Sequence, residues 1–187
     1  MGSSGSGKQA LVVVDIQNDY FPGGRWTLSG VEAAAAQAAQ VIERFRERGD
    51  LVVHIRHEFQ DDNAPFFRPG SEGAQLHASV SNREDEPVVL KHFISSFRET
   101  ELEAVLDHHG IEALVVVGNM SHMCVDGITR AAVDLGYDTT VLHDACATLD
   151  LSFNGVSVPA AQVHAAFMAA LAFGYAQVIS TQDYLGR

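Results

Sequence analysis

Two patterns of hydrophobic positions alternate along the chain. Short apolar runs rich in Val, Leu and Ile are followed by longer segments in which apolar residues recur every three or four positions. The short runs are typical of buried strands, and the longer segments are typical of amphipathic helices. This alternation predicts an α/β protein, here a three-layer αβα, Rossmann-like fold with a six-stranded, mainly parallel sheet. The predicted strands lie at residues 10–14, 51–55, 88–90, 113–117, 139–142 and 176–179.

The first predicted helix, residues 30–48, has the clearest boundaries. Its apolar side chains form one stripe, and Gly49 follows it where a left-handed C-cap residue is expected. The stretch 58–87 contains three of the five prolines and scattered charges, so it is predicted to be a long irregular segment. Segments of this kind often border the active site of a compact α/β domain. Further helices are predicted at residues 99–108, 124–135 and 160–173.

The length and composition of the chain suit a single domain. Its 187 residues, of which 47% are hydrophobic, can form one full core, which we place at residues 8–187. Residues 1–7, MGSSGSG, resemble a linker rather than a secretion signal, because they have no basic start and no apolar stretch. No apolar run approaches the roughly 20 residues that span a bilayer, so a membrane protein is not expected.

The charge and the cysteine content narrow the choice of partners and compartment. Twelve Lys and Arg stand against 24 Asp and Glu, which gives a formal net charge of −12. This charge repels phosphate backbones and anionic membrane surfaces, so neither nucleic acid nor a membrane is an expected partner. The two cysteines, Cys124 and Cys146, are too few for a disulfide framework. Free thiols without a signal sequence indicate the cytoplasm.

Polar side chains with catalytic potential follow three of the predicted strands. Asp15 and Lys91 each come directly after a strand, and a short turn after Gly118 leads to Cys124. Ligands of open parallel sheets bind beyond the carboxyl ends of the strands. The sequence therefore predicts a carboxylate, an ammonium group and a thiol at one rim of the sheet.

These three groups have the chemistry for covalent acyl transfer. Cys124 is predicted at the start of a helix, where the helix dipole and a nearby Lys91 would lower the pKa of its thiol. Asp15 would take the thiol proton and later deliver it to a leaving amine. Backbone N–H groups around Met120 and Cys124 would bind the oxyanion of a tetrahedral intermediate.

Each of these residues also has a purely structural interpretation. Taken singly, Cys124 could be a packed core cysteine, Asp15 a turn-forming residue and Lys91 a solvated charge. The imidazole of His122 or His143 is an alternative activator of Cys124. A flavodoxin-like nucleotide-binding module is a weaker alternative, because no Gly-x-Gly-x-x-Gly or Walker-type loop follows a strand. The joint occurrence of the three groups at strand ends favours catalysis.

Several segments resemble the motifs of isochorismatase-like cysteine hydrolases. The resemblance extends from Gln9 over almost the whole remaining chain, because the matching segments occur in the expected order and spacing. They are VVVDIQNDYF at residues 12–21, KHF at 91–93 with Phe97 and TEL at 100–102, GNMSHMCV at 118–125, DACAT at 144–148, VH at 163–164 and ST at 180–181.

The resemblance implies a catalytic triad of Asp15, Lys91 and Cys124. It also implies a thioester-like intermediate on Cys124 that water hydrolyses. The oxyanion hole would be formed by the N–H groups of Met120 and Cys124, and a cis peptide bond is expected between Asn119 and Met120.

Metal binding distinguishes branches of this family. The nicotinamidase branch is similar to this chain in its triad but carries Asp-x-His and a further His after the second strand. Here His54 and His57 lie three residues apart, and odd offsets on a strand point to opposite faces of the sheet. Neither a metal ion nor another cofactor is therefore expected.

The presence of Cys124 bears on the reaction. Isochorismatases proper cleave a vinyl ether and often lack the nucleophilic cysteine, so hydrolysis of a C–N bond in a small amide is the expected reaction here. Vinyl ether hydrolysis and a catalytically silent family member are the alternatives. The substrate is expected to be small and partly apolar or planar. The predicted pocket residues are Phe21, Trp26, His57, Phe66, Phe67, Asn119 and Phe153.

The family resemblance also implies a homo-oligomer, either a dimer or a tetramer. Alanine-rich helical faces at residues 33–39 and 165–172 would allow subunits to approach closely. Packing within the domain explains these faces equally well.

Overall fold

The central strand of the sheet is apolar on both faces. The last five side chains of β1 (Gln9–Val14) have no exposed surface, which is the pattern of a strand covered by helices on both sides. In this computed structural model, which describes residues 7–186, β1 pairs in parallel with β2 (Leu51–His57) and β4 (Ala113–Asn119).

The sheet has six strands, and every neighbouring pair is parallel. The predicted six-stranded parallel sheet is thereby confirmed. The outer strands are β3 (Val88–Lys91), β5 (Asp138–Ala147) and β8 (Gln177–Ile179), in the sheet order β3-β2-β1-β4-β5-β8.

Helices cover both faces of the sheet. Leu11 and Val13 of β1 pack in one core with the buried stripe of α1, whereas Val12 and Val14 pack in the other core with α2, α3 and α4. The αβα layering expected from the sequence follows from this alternation. The helices are α1 (Val31–Arg48), α2 (Leu102–His108), α3 (Asp126–Asp134), α4 (Ala160–Gly174) and α5 (Thr181–Leu185).

Three predicted boundaries were wrong. α2 begins later than residue 99, because Glu99 has a left-handed φ of 54° that no helix can contain. α3 begins at Asp126, since residues Ser121–Val125 form a wider π-type turn that contains Cys124. β5 continues beyond the predicted end at 142, because a register shift lets it resume pairing with β4.

A short hairpin and a short helix near the end of the chain were not predicted. β6 (Leu151–Phe153) and β7 (Val156–Val158) form an antiparallel hairpin. Its turn, Asn154-Gly155, has positive φ at both residues, which is the signature of a type I′ turn. The other missed element, α5, is capped by Ser180.

The segment 58–87 is irregular, as predicted, and is fastened at both ends. Gln17 Nε2 donates to the carbonyl oxygen of His57, just before the segment, and to that of Ala74 in its middle, both at 2.8 Å. Near its end, Arg46 forms two hydrogen bonds, of 2.6 and 2.9 Å, with the Glu86 carboxylate. The segment therefore runs from the carboxyl end of β2 to the amino end of β3 and is held at both places.

Two further predictions concerned the start of the chain and its ability to cross a membrane. The predicted linker at residues 1–7 lies, apart from Gly7, outside the residues that the structure describes. Among the described helices, none combines the length and the apolar character needed to cross a bilayer.

Candidate active site

Asp15, Lys91 and Cys124 meet at the carboxyl end of the sheet. Asp15 directly follows β1, Lys91 is the last residue of β3, and Cys124 lies in the turn between β4 and α3. All three are buried, and Cys124 is only 2% exposed. The rim predicted from the strand ends therefore exists, and it lies beneath protein rather than in open solvent.

The Lys91 ammonium group lies at the centre of this site. Its Nζ is 3.1 Å from Asp15 Oδ2 and 3.1 Å from Cys124 Sγ, and it also donates to the Phe93 carbonyl at 2.9 Å. Burial alone would lower the pKa of Lys91, but its interactions with Asp15 and Cys124 outweigh burial and raise it. Lys91 is therefore a fixed cation shared by the carboxylate and the sulfur.

The predicted direction of the Cys124 pKa was wrong. Burial raises the pKa of the thiol, the Asp15 carboxylate raises it further, and Lys91 opposes them only in part. The expectation of a lowered pKa relied on the helix dipole and on Lys91 and neglected burial. The resting site accordingly holds a protonated thiol beside a carboxylate that can accept its proton.

Asn119 and Met120 join β4 to the turn that carries Cys124. The peptide bond between them is cis. The buried Asn119 side chain accepts from the Ala147 N–H at 3.1 Å and donates to the Asp15 carbonyl at 3.5 Å. Asn119 therefore ties the ends of β1 and β5 together beside the site.

Aromatic side chains, several of them from the 58–87 segment, form a cluster beside His57. The Phe67 ring is 4.6 Å from Tyr20 and 4.9 Å from Phe66, and Trp26 stacks on Phe66 at 4.8 Å. Three of the predicted pocket aromatics, Trp26, Phe66 and Phe67, are thus brought together. Tyr20 was missed as a site residue, and burial together with the charges of Cys124 and Asp15 raises the pKa of its hydroxyl.

Two predicted pocket aromatics lie elsewhere. Phe21 is buried, but its ring stacks on His77 at 3.5 Å. Phe153 lies on the β6–β7 hairpin and is 77% exposed, so the structure does not place its ring against the buried triad. The unpredicted hairpin explains this correction, because it directs Phe153 to solvent.

His57 lies in direct contact with the triad. Its Nδ1 is 2.9 Å from Lys91 Nζ and 3.9 Å from Asp15 Oδ2. Burial lowers the pKa of His57 to about 4, although Asp15 opposes the shift. His57 and Lys91 are the last residues of adjacent strands and are paired in register, a relationship that only the folded sheet reveals.

Metal-binding groups also occur at this place. One potential ligand atom each from Asp15, His57 and Cys124 lies within 4.8 Å of the others. The Lys91 ammonium is within 3.1 Å of all three residues. A metal ion here would have to displace that cation, so the donor set does not suit one.

The imidazoles proposed as alternative activators of Cys124 have other partners. His122 Nδ1 lies 2.7 Å from Thr148 Oγ1, and the His143 ring lies 6.5 Å from that of His164. Within residues 7–186, no hydrogen bond joins Cys124 to either His122 or His143. The second cysteine, Cys146, is buried and donates to the Leu142 carbonyl.

Comparison with known proteins gives consistent matches over almost the whole chain. The profile of the Isochorismatase domain matches residues 9–183. The uncharacterised isochorismatase family protein YddQ of Bacillus subtilis is 47% identical, with 94% of this chain and 98% of that protein covered. Maleamate amidohydrolase of Pseudomonas putida is 29% identical, with 73% and 71% covered. A crystal structure of a proposed isochorismatase hydrolase from Oleispira antarctica is 56% identical, with a TM-score of 0.94 and 100% of both chains covered.

Proposed function

Because this chain belongs to the isochorismatase hydrolase family, we propose that it cleaves the C–N bond of a small amide through a covalent acyl-enzyme intermediate on Cys124. The main support for this proposal is the position of one buried ammonium group. A single buried ammonium, that of Lys91, lies 3.1 Å from both a carboxylate and a thiol. This arrangement provides a nucleophile in Cys124, a proton acceptor in Asp15 and a positive charge on Lys91 that stabilises both.

The first step moves a proton from Cys124 to Asp15. The thiol is neutral at rest because burial and Asp15 raise its pKa, so proton transfer accompanies attack on the substrate carbonyl carbon. A C–S bond forms, and the carbonyl becomes an oxyanion. Lys91 keeps its protons throughout and stabilises the sulfur and the carboxylate.

Collapse of the tetrahedral intermediate breaks the C–N bond. Asp15 returns the proton to the leaving nitrogen, ammonia or an amine departs, and a thioester remains on Cys124. The backbone N–H groups of Met120 and Cys124 would bind the oxyanion, and such donors typically contribute about 3 kcal/mol each.

Hydrolysis of the thioester restores the enzyme. Asp15 takes a proton from water, the resulting hydroxide attacks the thioester carbonyl, and the C–S bond breaks. The thiol regains its proton and a carboxylic acid is released, so the net reaction adds one water across the amide bond.

The choice of an amide rests on the thiol and on the relatives. Cys124 is present and lies beside a carboxylate, which acyl transfer requires and simple protonation of a vinyl ether does not. The family includes amidohydrolases, among them the maleamate amidohydrolase described above.

The test compares Cys124→Ser with the matched control Cys146→Ser. Ammonia release from a panel of small primary amides is measured, and intact-mass spectrometry of the stopped reaction detects an acyl adduct. The control should retain activity, whereas Cys124→Ser should lose about a thousandfold or more, as the removal of a nucleophile usually does.

Two other results would contradict the proposal. Hydrolysis of isochorismate that survives in Cys124→Ser would indicate vinyl ether cleavage. Turnover of neither substrate class, with no adduct on Cys124, would indicate a catalytically silent family member.

A further inference from the structure

His57 has no role in the mechanism proposed above, yet both of its ring nitrogens are in defined surroundings. Nδ1 lies 2.9 Å from Lys91 Nζ. An ammonium group can only donate hydrogen bonds, so Nδ1 must be the acceptor and the ring proton must be on Nε2. The pKa of His57, lowered to about 4 by burial, agrees with a neutral ring.

The Nε2–H group is a buried donor without a partner among residues 7–186. Most buried polar groups in proteins have a hydrogen-bond partner, so such a donor calls for an explanation. The ring lies 4.8 Å from Phe59 and 6.1 Å from Phe67, whose rings offer no conventional acceptor. The donor therefore has no acceptor among the described residues, which leaves its hydrogen bond to a ligand.

The position of this donor is fixed by the backbone. The His57 N–H donates to Gln17 Oε1 at 2.8 Å, and the His57 carbonyl accepts from Gln17 Nε2 at 2.8 Å. Gln17 is itself fully buried. Because Gln17 holds the backbone and Lys91 holds Nδ1, the imidazole cannot turn away without breaking several buried hydrogen bonds.

The donor is also close to the proposed nucleophile. One ring nitrogen of His57 lies within 4.8 Å of the Cys124 sulfur, so Nε2 is no more than the width of an imidazole ring farther away. A carbonyl carbon under attack lies roughly 3–3.5 Å from its nucleophile. Atoms a few bonds beyond that carbon are then within reach of Nε2.

We infer that His57 Nε2–H binds a second oxygen acceptor of the substrate, a carbonyl or a carboxylate, a few bonds from the scissile amide. This inference rests on the proposed function and narrows its substrate class to small amides that carry such an oxygen. His57 is on this view a specificity residue that Lys91 keeps in the donating tautomer. A substrate with an N–H group at this position would place it against the His57 Nε2–H group, and neither donor would then have an acceptor.

Two substitutions separate the two nitrogens of the ring. His57→Asn places an amide oxygen near Nδ1, where it can accept from Lys91, but removes the donor at Nε2. His57→Gln places an amide N–H near Nε2 but loses the acceptor at Nδ1. Circular dichroism and thermal unfolding of both variants establish that each is folded.

The readout is protection of Cys124 from alkylation by iodoacetamide, measured by mass spectrometry at mildly alkaline pH. Succinamate and acetoacetamide carry a second carboxylate or carbonyl oxygen, and butyramide of similar size does not. We expect at least one oxygen-bearing probe to protect the wild type about tenfold better than butyramide, as expected for one buried hydrogen bond. His57→Asn should reduce this ratio to about one, and His57→Gln should preserve most of it.

The inference is overturned if neither oxygen-bearing probe protects better than butyramide, or if the preference survives His57→Asn. A preference that is lost only in His57→Gln would show that His57 acts through Lys91 alone. A bound probe and an acylated Cys124 both block alkylation, and the intact mass distinguishes the two, so binding is read apart from turnover. Failure of the proposed function would appear separately, as absence of ammonia release and of an acyl adduct on Cys124.

Discussion

Gly118 lies directly against the carbonyl group of Val14. A Cβ atom built on Gly118 would collide with that carbonyl oxygen, and the residue has a φ of +123°, which side-chain-bearing residues rarely adopt. The two residues are paired in register at the ends of β4 and β1. This close approach lets the two strands deliver Asp15 and Cys124 to the same place.

Gly118→Ala should therefore destabilise the protein strongly. We expect the free energy of unfolding to fall by about 3 kcal/mol, since a strained backbone and an overpacked contact each cost roughly 1–3 kcal/mol. Urea unfolding measures the change. The control is Gly174→Ala in α4, where a Cβ meets open space and the backbone is not left-handed. Equal losses in the two variants would show that the contact with Val14 is unimportant.

The charges beside Cys124 predict opposite effects on its alkylation. Asp15 raises the pKa of the thiol, so Asp15→Asn should increase the thiolate fraction and the rate with iodoacetamide near neutral pH. Lys91 lowers the pKa, so Lys91→Met should decrease that rate. In each variant, a change of one unit in the pKa of Cys124 corresponds to about a tenfold change in the alkylation rate.

Both substitutions should abolish amide hydrolysis, although they move alkylation in opposite directions. Peptide mass spectrometry follows Cys124, with Cys146 as an internal reference in the same sample. If Asp15→Asn slowed alkylation, Asp15 would be holding the sulfur in place rather than repelling its charge.

The ion pair between Arg46 and Glu86 predicts a pH-dependent contribution to stability. Burial alone would raise the pKa of Glu86, but contacts with Arg46, the Arg83 N–H and His54 outweigh burial and lower it to about 2, from an ordinary value of 4.5. A carboxylate whose pKa is lowered by folding stabilises the native state fully above pH 4.5. That contribution is lost as the pH falls toward 2.

Glu86→Gln should lower the free energy of unfolding by about 2–3 kcal/mol near neutral pH. The difference from the wild type should shrink steadily between pH 4.5 and pH 2 in urea titrations. Glu84→Gln, at an exposed neighbouring position, serves as the matched control. A difference that stayed constant across this range would assign the loss to packing rather than to charge.

The surface of α4 is rich in exposed apolar side chains. The helix contains no charged residue, and Phe173 in its last turn is 95% exposed. The alanines of α1 at positions 34, 35 and 38 are buried within the domain, whereas most of those at 165–172 are exposed. We propose that this face of α4 joins two copies of the chain, because exposed apolar patches commonly mark interfaces.

Phe173→Glu should then convert the oligomer to a monomer without changing the unfolding midpoint of the isolated chain. Sedimentation velocity at several concentrations distinguishes the species. Phe153→Glu, on the exposed hairpin, tests whether any exposed aromatic has the same effect. A wild type that sediments as a monomer at all concentrations would refute the proposal.

Much of the fold was predictable because the strands of the central sheet have strong local signals. The buried runs of β1 and β4, and the capped stripe of α1, are patterns that depend on neighbouring residues alone. The hairpin β6–β7 was missed although Asn154-Gly155 is a strong turn signal, because its strands have only three residues each. Short strands carry too few positions for an alternating pattern.

The sequence predicted which residues meet at the candidate site, but it did not predict the pKa of the Cys124 thiol. Asp15, Lys91 and Cys124 follow strands, so the sequence places them at one rim. Whether a thiol there is acidic depends on its burial in the folded core, and no local pattern encodes that burial. The contact between His57 and Lys91 likewise depends on the register of β2 against β3, which appears only in three dimensions.

The fastening of the 58–87 segment at both ends has a consequence for how such a protein can diverge. Gln17 secures its start at His57 and its middle at Ala74, and Arg46 secures its end at Glu86, so the segment is divided into loops whose anchors do not depend on their length. The entropy lost on closing a loop grows only with the logarithm of its length. Insertions and deletions between the anchors are therefore inexpensive, and a lineage can reshape this segment while Asp15, Lys91 and Cys124 stay unchanged.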